Sequence, residues 1–146
     1  MAKGTVLLFL HADTLLPDGG LALLSRTLEQ NPVCVGGAFK RRFAGAGPFL
    51  QATAYLTDLR NHTVGWHLGD QGIFVRKKIF EELGGFKEIS PFEDLDFSRR
   101  MKRAGPVVTL ALPVLSSRRR FQKDGELIRT LKDLYLTLCY CITKRS

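Results

Sequence analysis

Asp13, Glu93 and Asp94 are the residues whose type and spacing best suit chemistry. The apolar run Val6–Leu10 breaks off at His11-Ala12-Asp13, which is how a strand buried on both faces of a parallel sheet reads, with its polar residues at the carboxyl end. Ligands of open α/β sheets bind beyond that end, so Asp13 is a candidate site carboxylate; the alternative is a turn aspartate bonded to its own backbone. Asp94 follows Ser90-Pro91-Phe92-Glu93, a capping box with proline at the first helical position that predicts a helix over Pro91–Ala104. At about 100° per residue Asp94 lies within about 20° of Met101 and about 60° of Phe97, on the apolar face, where a charge is costly without a partner or a task. The macrodipole of the first turn favours its ionised form, which suits a general base. Glu93 reads equally well as the capping acid. One carboxylate at a strand end facing another at a helix start suits a metal plus a base. A hard divalent cation held by few carboxylates fills its shell with water and substrate phosphates, so the expected chemistry has a phosphate leaving group.

Gly69-Asp70-Gln71-Gly72 is a polar turn whose Asp70 and Gln71 could hold a hydroxylated substrate, or serve only as a tight turn. Arg118-Arg119-Arg120 could clamp a diphosphate bidentately, or form a solvated or membrane-facing patch. His11, His62 and His67 with Cys34 have no zinc spacing. A Gly-rich phosphate loop, a dinucleotide fingerprint and a nucleophile elbow are all missing from the sequence.

These groups need a scaffold, and the 146 residues, 45% apolar and 25% charged, suffice for one hydrophobic core. Apolar spacing predicts a helix opened by Pro17-Asp18-Gly19 with Leu21, Leu24 and Leu28 on one face, and then a strand over Val33–Phe43. A second helix is predicted to use Phe49, Ala52, Leu56 and Leu59 and to end before Asn61. Gly72–Val75 reads as a strand, Arg76–Leu83 as a helix and Val107–Leu112 as a strand, with a basic loop over Ser116–Lys123. An amphipathic helix from Glu126 carries Leu127, Leu131, Leu134, Leu138 and Ile142, flanked by Ile128 and Tyr135. The expected class is α/β, a mostly parallel or mixed sheet flanked by helices, in a single domain over 1–146 with a core over 1–123 and a terminal helix over 124–146.

Twenty-two Lys+Arg against fourteen Asp+Glu give +8, pointing toward a polyanion. Residues 1–36 carry two basic and three acidic groups, 37–64 four and one, 65–116 eight and seven, and 117–146 eight and three. The tail holds most of the excess, without the aromatic interleaving of a single-strand-binding groove. Cys34, Cys139 and Cys141 cannot all pair within the chain, which indicates a reducing compartment. The opening residues lack a secretory signal and no run is long enough to span a bilayer, so the expected place is the cytoplasm, with peripheral contact at the inner membrane face left open.

Taken together, Leu7-Leu8-Phe9-Leu10-His11-Ala12-Asp13-Thr14, Gly69-Asp70-Gln71-Gly72-Ile73-Phe74-Val75-Arg76, Gly84-Gly85-Phe86 and Glu93-Asp94-Leu95-Asp96-Phe97-Ser98-Arg99-Arg100 resemble a family-two glycosyltransferase, more narrowly the bacterial selenodomain-associated transferase branch. The resemblance implies the GT-A fold, a nucleotide-sugar donor, a hydroxyl acceptor and inverting transfer assisted by Mg2+ or Mn2+. On that resemblance Asp13 matches the last acid of the metal-binding Asp-x-Asp motif, and His11 stands where many relatives have the first aspartate. Asp94 matches the catalytic base with Glu93 beside it, while Gly69, Asp70 and Gln71 line the acceptor side. Arg119 and Arg120, followed by Phe121, match the segment near the donor diphosphate. The family's nucleotide-binding half precedes the strand at Val6–Leu10, where this chain starts, so the chain is expected to represent roughly the second half of the fold. Its first strand would then be an exposed hydrophobic edge, and self-association or pairing with the missing half is expected.

The leading expectation is thus a glycosyltransferase catalytic core incomplete at its donor site. A non-catalytic binding or assembly module derived from such an enzyme is the main alternative. A nucleic-acid or membrane-surface binder is the third, resting on charge alone, with nucleic acid the weaker of its two forms.

Overall fold

Gly36 and Gly37 determine how the sheet closes. A Cβ on Gly37 would overlap the Val108 carbonyl and one on Gly36 the Phe74 carbonyl, so only glycine lets the central strand approach its neighbours on both sides. The computed structural model describes residues 3–45, 47–89, 92–117 and the positions 128, 130, 131 and 135. The strands are β1 (Val6–Phe9), β2 (Thr14–Leu15), β3 (Gly36–Phe43), β4 (Ile73–Arg76) and β5 (Val107–Ser116). Among the described residues the helices are α1 (Gly20–Gln30), α2 (Pro48–Val64), α3 (Lys77–Glu82) and α4 (Glu93–Ala104), with a 3-10 turn at Gly69–Gln71.

The strands form one mixed sheet in the order β1-β4-β3-β5-β2. Only β3 and β5 run parallel; β1–β4, β3–β4 and β2–β5 are antiparallel. Of the two expected forms, mostly parallel or mixed, the sheet takes the mixed one; the expectation of a first strand buried on both faces of a parallel sheet is corrected. The side chains of β1 are partly buried, and β1 ends the sheet. Its period-two alternation still tells: Val6 and Leu8 join Phe74, Leu24, Leu28 and Leu110 under α1, while Leu7 and Phe9 join Ile73, Val75, Phe97 and Met101 on the side of α3 and α4. Phe9, Phe80, Phe86 and Phe97 pack ring on ring there, Phe86 and Phe97 with centroids 4.7 Å apart.

β5 runs beyond the expected Leu112 to Ser116: a register shift between Phe39 and Lys40 passes over Ala111 and Leu112, and pairing resumes at Pro113. The helix expected from Pro91 begins at Glu93; Ser90 and Pro91 lie outside the described residues. α2 differs most from its expectation. It continues past Asn61 to Val64 and buries Leu50, Ala54 and Asn61, whereas Phe49, Leu56 and Leu59, the expected core stripe, are exposed. Of the expected terminal helix, Ile128, Thr130, Leu131 and Tyr135 are helical; Cys139 and Cys141 lie outside the described residues. Among the described residues no helix is long and apolar enough to cross a membrane.

Candidate functional site

The first turn of α4 and the 3-10 turn before β4 meet at Gly69. The Gly69 N–H donates to Asp94 Oδ2 at 2.6 Å and the Leu95 N–H donates to Asp94 Oδ1 at 2.7 Å, so both carboxylate oxygens are tethered. A Cβ at Gly69 would stand 2.7 Å from His11 Nε2 and 3.2 Å from Asp94 Oδ2, which puts those two atoms within about 6 Å of each other across the glycine. Burial pushes the Asp94 carboxyl above its ordinary value; the Gly69 and Leu95 N–H groups pull it back, and the charges of Asp70 and Glu93 push it up again.

Asp70 stands beside this pair through its own tether. Its Oδ2 is ion-paired with the Arg41 guanidinium, which also donates to Thr57 Oγ1 and lies 4.7 Å over the Phe43 ring. The Asp70 carbonyl accepts from Ser116 Oγ at 3.1 Å, binding the turn to the end of β5. Asp70 Oδ1 and Glu93 Oε2 are buried acceptor atoms with no hydrogen-bond partner, so each can take a donor.

Gln71 does not line the site. It is fully buried, accepts from the Leu68 N–H at 2.9 Å and donates to the Phe39 carbonyl at 3.4 Å, so its amide is spent on closing the turn and tying it to β3. This corrects its expected acceptor role for a physical reason: the amide is wholly buried and neither of its polar atoms is exposed to a ligand. Asp13 and His11 are both exposed in the loop between β1 and β2. That loop is held by its backbone, the Thr14 N–H donating to the His11 carbonyl and the Ser117 N–H to that of Asp13, with Thr14 Oγ1 3.3 Å from Ser116 Oγ. The geometry at Gly69 therefore gathers His11, Gly69 and Asp94, with Asp70 and Glu93 adding their charges to Asp94. The Asp13 carboxylate stands in the solvent-facing loop. Arg119 and Arg120 lie outside the described residues.

Two features were missed in the sequence. Arg41 reads there as part of the basic run Lys40-Arg41-Arg42, yet the strand period places it on the inward face with Phe39 and Phe43, and it is buried. His67, treated there as ordinary, is fully buried, its Nε2 2.9 Å from Thr109 Oγ1; nothing in its sequence neighbourhood marks it.

Comparison with known protein families, with curated proteins and with solved structures finds no match.

Proposed function

We propose that this chain carries the acceptor and base half of a glycosyltransferase-like site of GT-A type, in which Asp94 takes the proton of an acceptor hydroxyl. The observation that supports this reading is the carboxylate of Asp94, made more basic by burial yet fixed by two backbone N–H groups beside His11. A general base must be positioned and basic; the two backbone tethers fix Asp94, and burial moves its pKa upward. In the displacement, the acceptor oxygen bonds to the anomeric carbon as the bond from that carbon to the diphosphate oxygen breaks. The centre inverts, the hydroxyl proton passes to Asp94 and the nucleoside diphosphate leaves. Asp70 Oδ1 and Glu93 Oε2 accept from neighbouring hydroxyls of the same acceptor, and His11 bounds it across Gly69.

Among the described residues no three His, Cys, Asp or Glu groups gather into a metal cage. On this reading a hard divalent cation, Mg2+ or Mn2+, would be held by Asp13, with most of its shell left to phosphate and water oxygens. Such a cation, when bound, neutralises charge on the departing diphosphate, and Arg119 and Arg120 are the residues we assign to assist it.

The test is the thermal midpoint of the full chain with UDP-, GDP- and dTDP-sugars, with and without Mn2+, beside Asp13→Asn. A ligand at about a hundred times its dissociation constant stabilises by about 2.7 kcal/mol, so the expected result is a metal-dependent rise lost in the variant. A folded sample that responds to no donor overturns transfer by this chain alone and leaves a half-enzyme or a binding module. The binding-module alternative would then stand, and it too has an observation in its favour: the two bonds to Asp94 also serve simply to tie α4 to the 3-10 turn.

A further inference from the structure

Ser98 is a hydroxyl in an apolar place. It stands on α4 among the buried residues Leu95, Phe97 and Met101 and is itself fully buried, where a hydroxyl without a bond costs stability. Helical threonines elsewhere in the chain bond back to their own helix: Thr27 donates to the Leu23 carbonyl, Thr57 to that of Thr53 and Thr63 to that of Leu59. Ser98 reaches outward instead. Its Oγ accepts the His67 N–H at 2.6 Å, across 31 positions of sequence.

This bond and the one at Asp94 belong together. Asp94 and Ser98 are four residues apart, one above the other on one face of α4. The His67 and Gly69 N–H groups are two residues apart, and Leu68 between them is extended, at φ −104° and ψ 157°. Four helical residues rise about 6 Å and two extended residues span about 6.7 Å, so the two spacings agree. Segment 67–69 therefore lies antiparallel along the N-terminal half of α4 with a rung at each end, His67 to Ser98 and Gly69 to Asp94, both at 2.6 Å. The Leu68 N–H turns the other way, to Gln71 Oε1, and the Gln71 amide continues to the Phe39 carbonyl of β3. The segment is thus held between helix and sheet.

We infer that Ser98 is a positioning residue for the Asp94 carboxylate: its rung to His67 sets where along α4 the segment lies, and so brings the Gly69 N–H to Asp94 Oδ2. The second tether of Asp94, the Leu95 N–H, lies within α4 and does not fix the helix against the segment. The bonds of Asp70 run to Arg41 and Ser116, on the strands β3 and β5, and leave the register on α4 to Ser98. The bearing of Ser98 on transfer rests on the reading of Asp94 as the base. The state of the tether is read without any substrate, so the two fail separately.

NMR of the full chain tests it through the Gly69 amide proton and the Asp94 side-chain carboxyl carbon, in the wild type, Ser98→Ala and Leu23→Ala. Leu23 packs against the core on the α1 side of the sheet, so its truncation loosens the fold without touching either rung. In Ser98→Ala the Gly69 amide proton is expected to move upfield at neutral pH and to stop following the titration of Asp94. The Asp94 midpoint moves upward, over the pH range in which circular dichroism shows the chain folded, because the Gly69 N–H no longer favours the charged form. In Leu23→Ala both signals keep their wild-type behaviour. Where Ser98→Ala does not fold, Ser98→Cys, which nearly keeps the volume and leaves a weak sulfur acceptor, moves both signals in the same directions. Unmoved signals in a folded Ser98 variant, or equal movement in Leu23→Ala, overturn the inference.

Discussion

Asp94 and Gly69, 25 positions apart in the chain, are joined by a 2.6 Å hydrogen bond from the Gly69 N–H to the carboxylate. The bond couples the start of α4 to the turn that feeds β4, and therefore to the middle of the sheet. It also holds a partly desolvated carboxylate in one orientation, which a water-exposed aspartate would not keep. The absence of a side chain at Gly69 keeps His11 close to the same carboxylate.

Asp94→Asn removes the base while preserving shape. On the proposed mechanism, transfer falls about 10²- to 10⁴-fold, the range expected for losing a positioned general base, with the acceptor KM little changed. In the wild-type chain the activity rises with pH as Asp94 ionises, with the limb displaced upward from the ordinary carboxylate range because burial raises its pKa. A kcat profile against pH reads both, and an ascending limb that survives in Asp94→Asn would assign the titration to another group.

Gly69→Ala places a methyl group 2.7 Å from His11 Nε2. His11 is exposed and its ring end can swing aside, but the tethered Asp94 Oδ2, 3.2 Å away, has less room, so the cost in stability is expected to be about 1 kcal/mol, at the low end for small-to-large changes. On the proposed mechanism the acceptor wall is moved as well. Acceptor KM should rise several-fold with only a small fall in the denaturation midpoint, and His11→Ala in the same background should leave stability where it is without restoring KM.

How far the sequence reaches can be judged from particular residues. Leu24, Leu28, Met101 and Phe97 are buried as helical spacing predicts because each helix packs one face against the sheet, whereas Leu21, expected on the same face as Leu24 and Leu28, is 59% exposed. The same rule fails on α2, where Leu50 and Ala54 face inward and the larger apolar residues face out; periodicity shows that a stripe exists, while tertiary contact decides whether it is covered. Strand direction was illegible because a short apolar run reads alike in parallel and antiparallel pairing. At the site, Asp94 was legible from its position on the apolar face of α4. His11 was read beside Asp13, two positions on; its approach to Gly69 spans 58 positions that no local pattern connects.

Arg41 and Asp70 form an ion pair whose arginine is buried. Removing one partner of such a pair leaves a charge without compensation, so Asp70→Ala is expected to cost about 3 kcal/mol. Arg41→Met in addition removes the orphaned charge while retaining much of the packing over Phe43, and most of the loss should return. Urea unfolding of the two single variants and the double variant reads this as a double-mutant cycle. A double variant as unstable as the sum of the single ones would mean that the pair contributes through shape and not through charge.

His67 gives the fold an acid limit. Burial, with help from the charges of Arg60 and Lys102, lowers its pKa from 6.5 to about 4. The folded state therefore prefers the neutral ring, and the unfolded chain binds the proton first as pH falls. Stability from this group is complete above pH 6.5 and is lost progressively as pH falls from 6.5 toward 4. A shift of that size corresponds to about 3 kcal/mol at full buried-state protonation cost, a large part of the stability of a domain this small. In His67→Gln the amide can still meet Thr109 Oγ1 but has no proton to take up, so the variant starts less stable at pH 7.5 yet loses less on acidification. The check is the urea midpoint of both proteins at several pH values between about 7.5 and 4.5. Parallel curves would show that other groups set the acid limit, whereas convergence of the two curves toward low pH assigns it to the ring of His67.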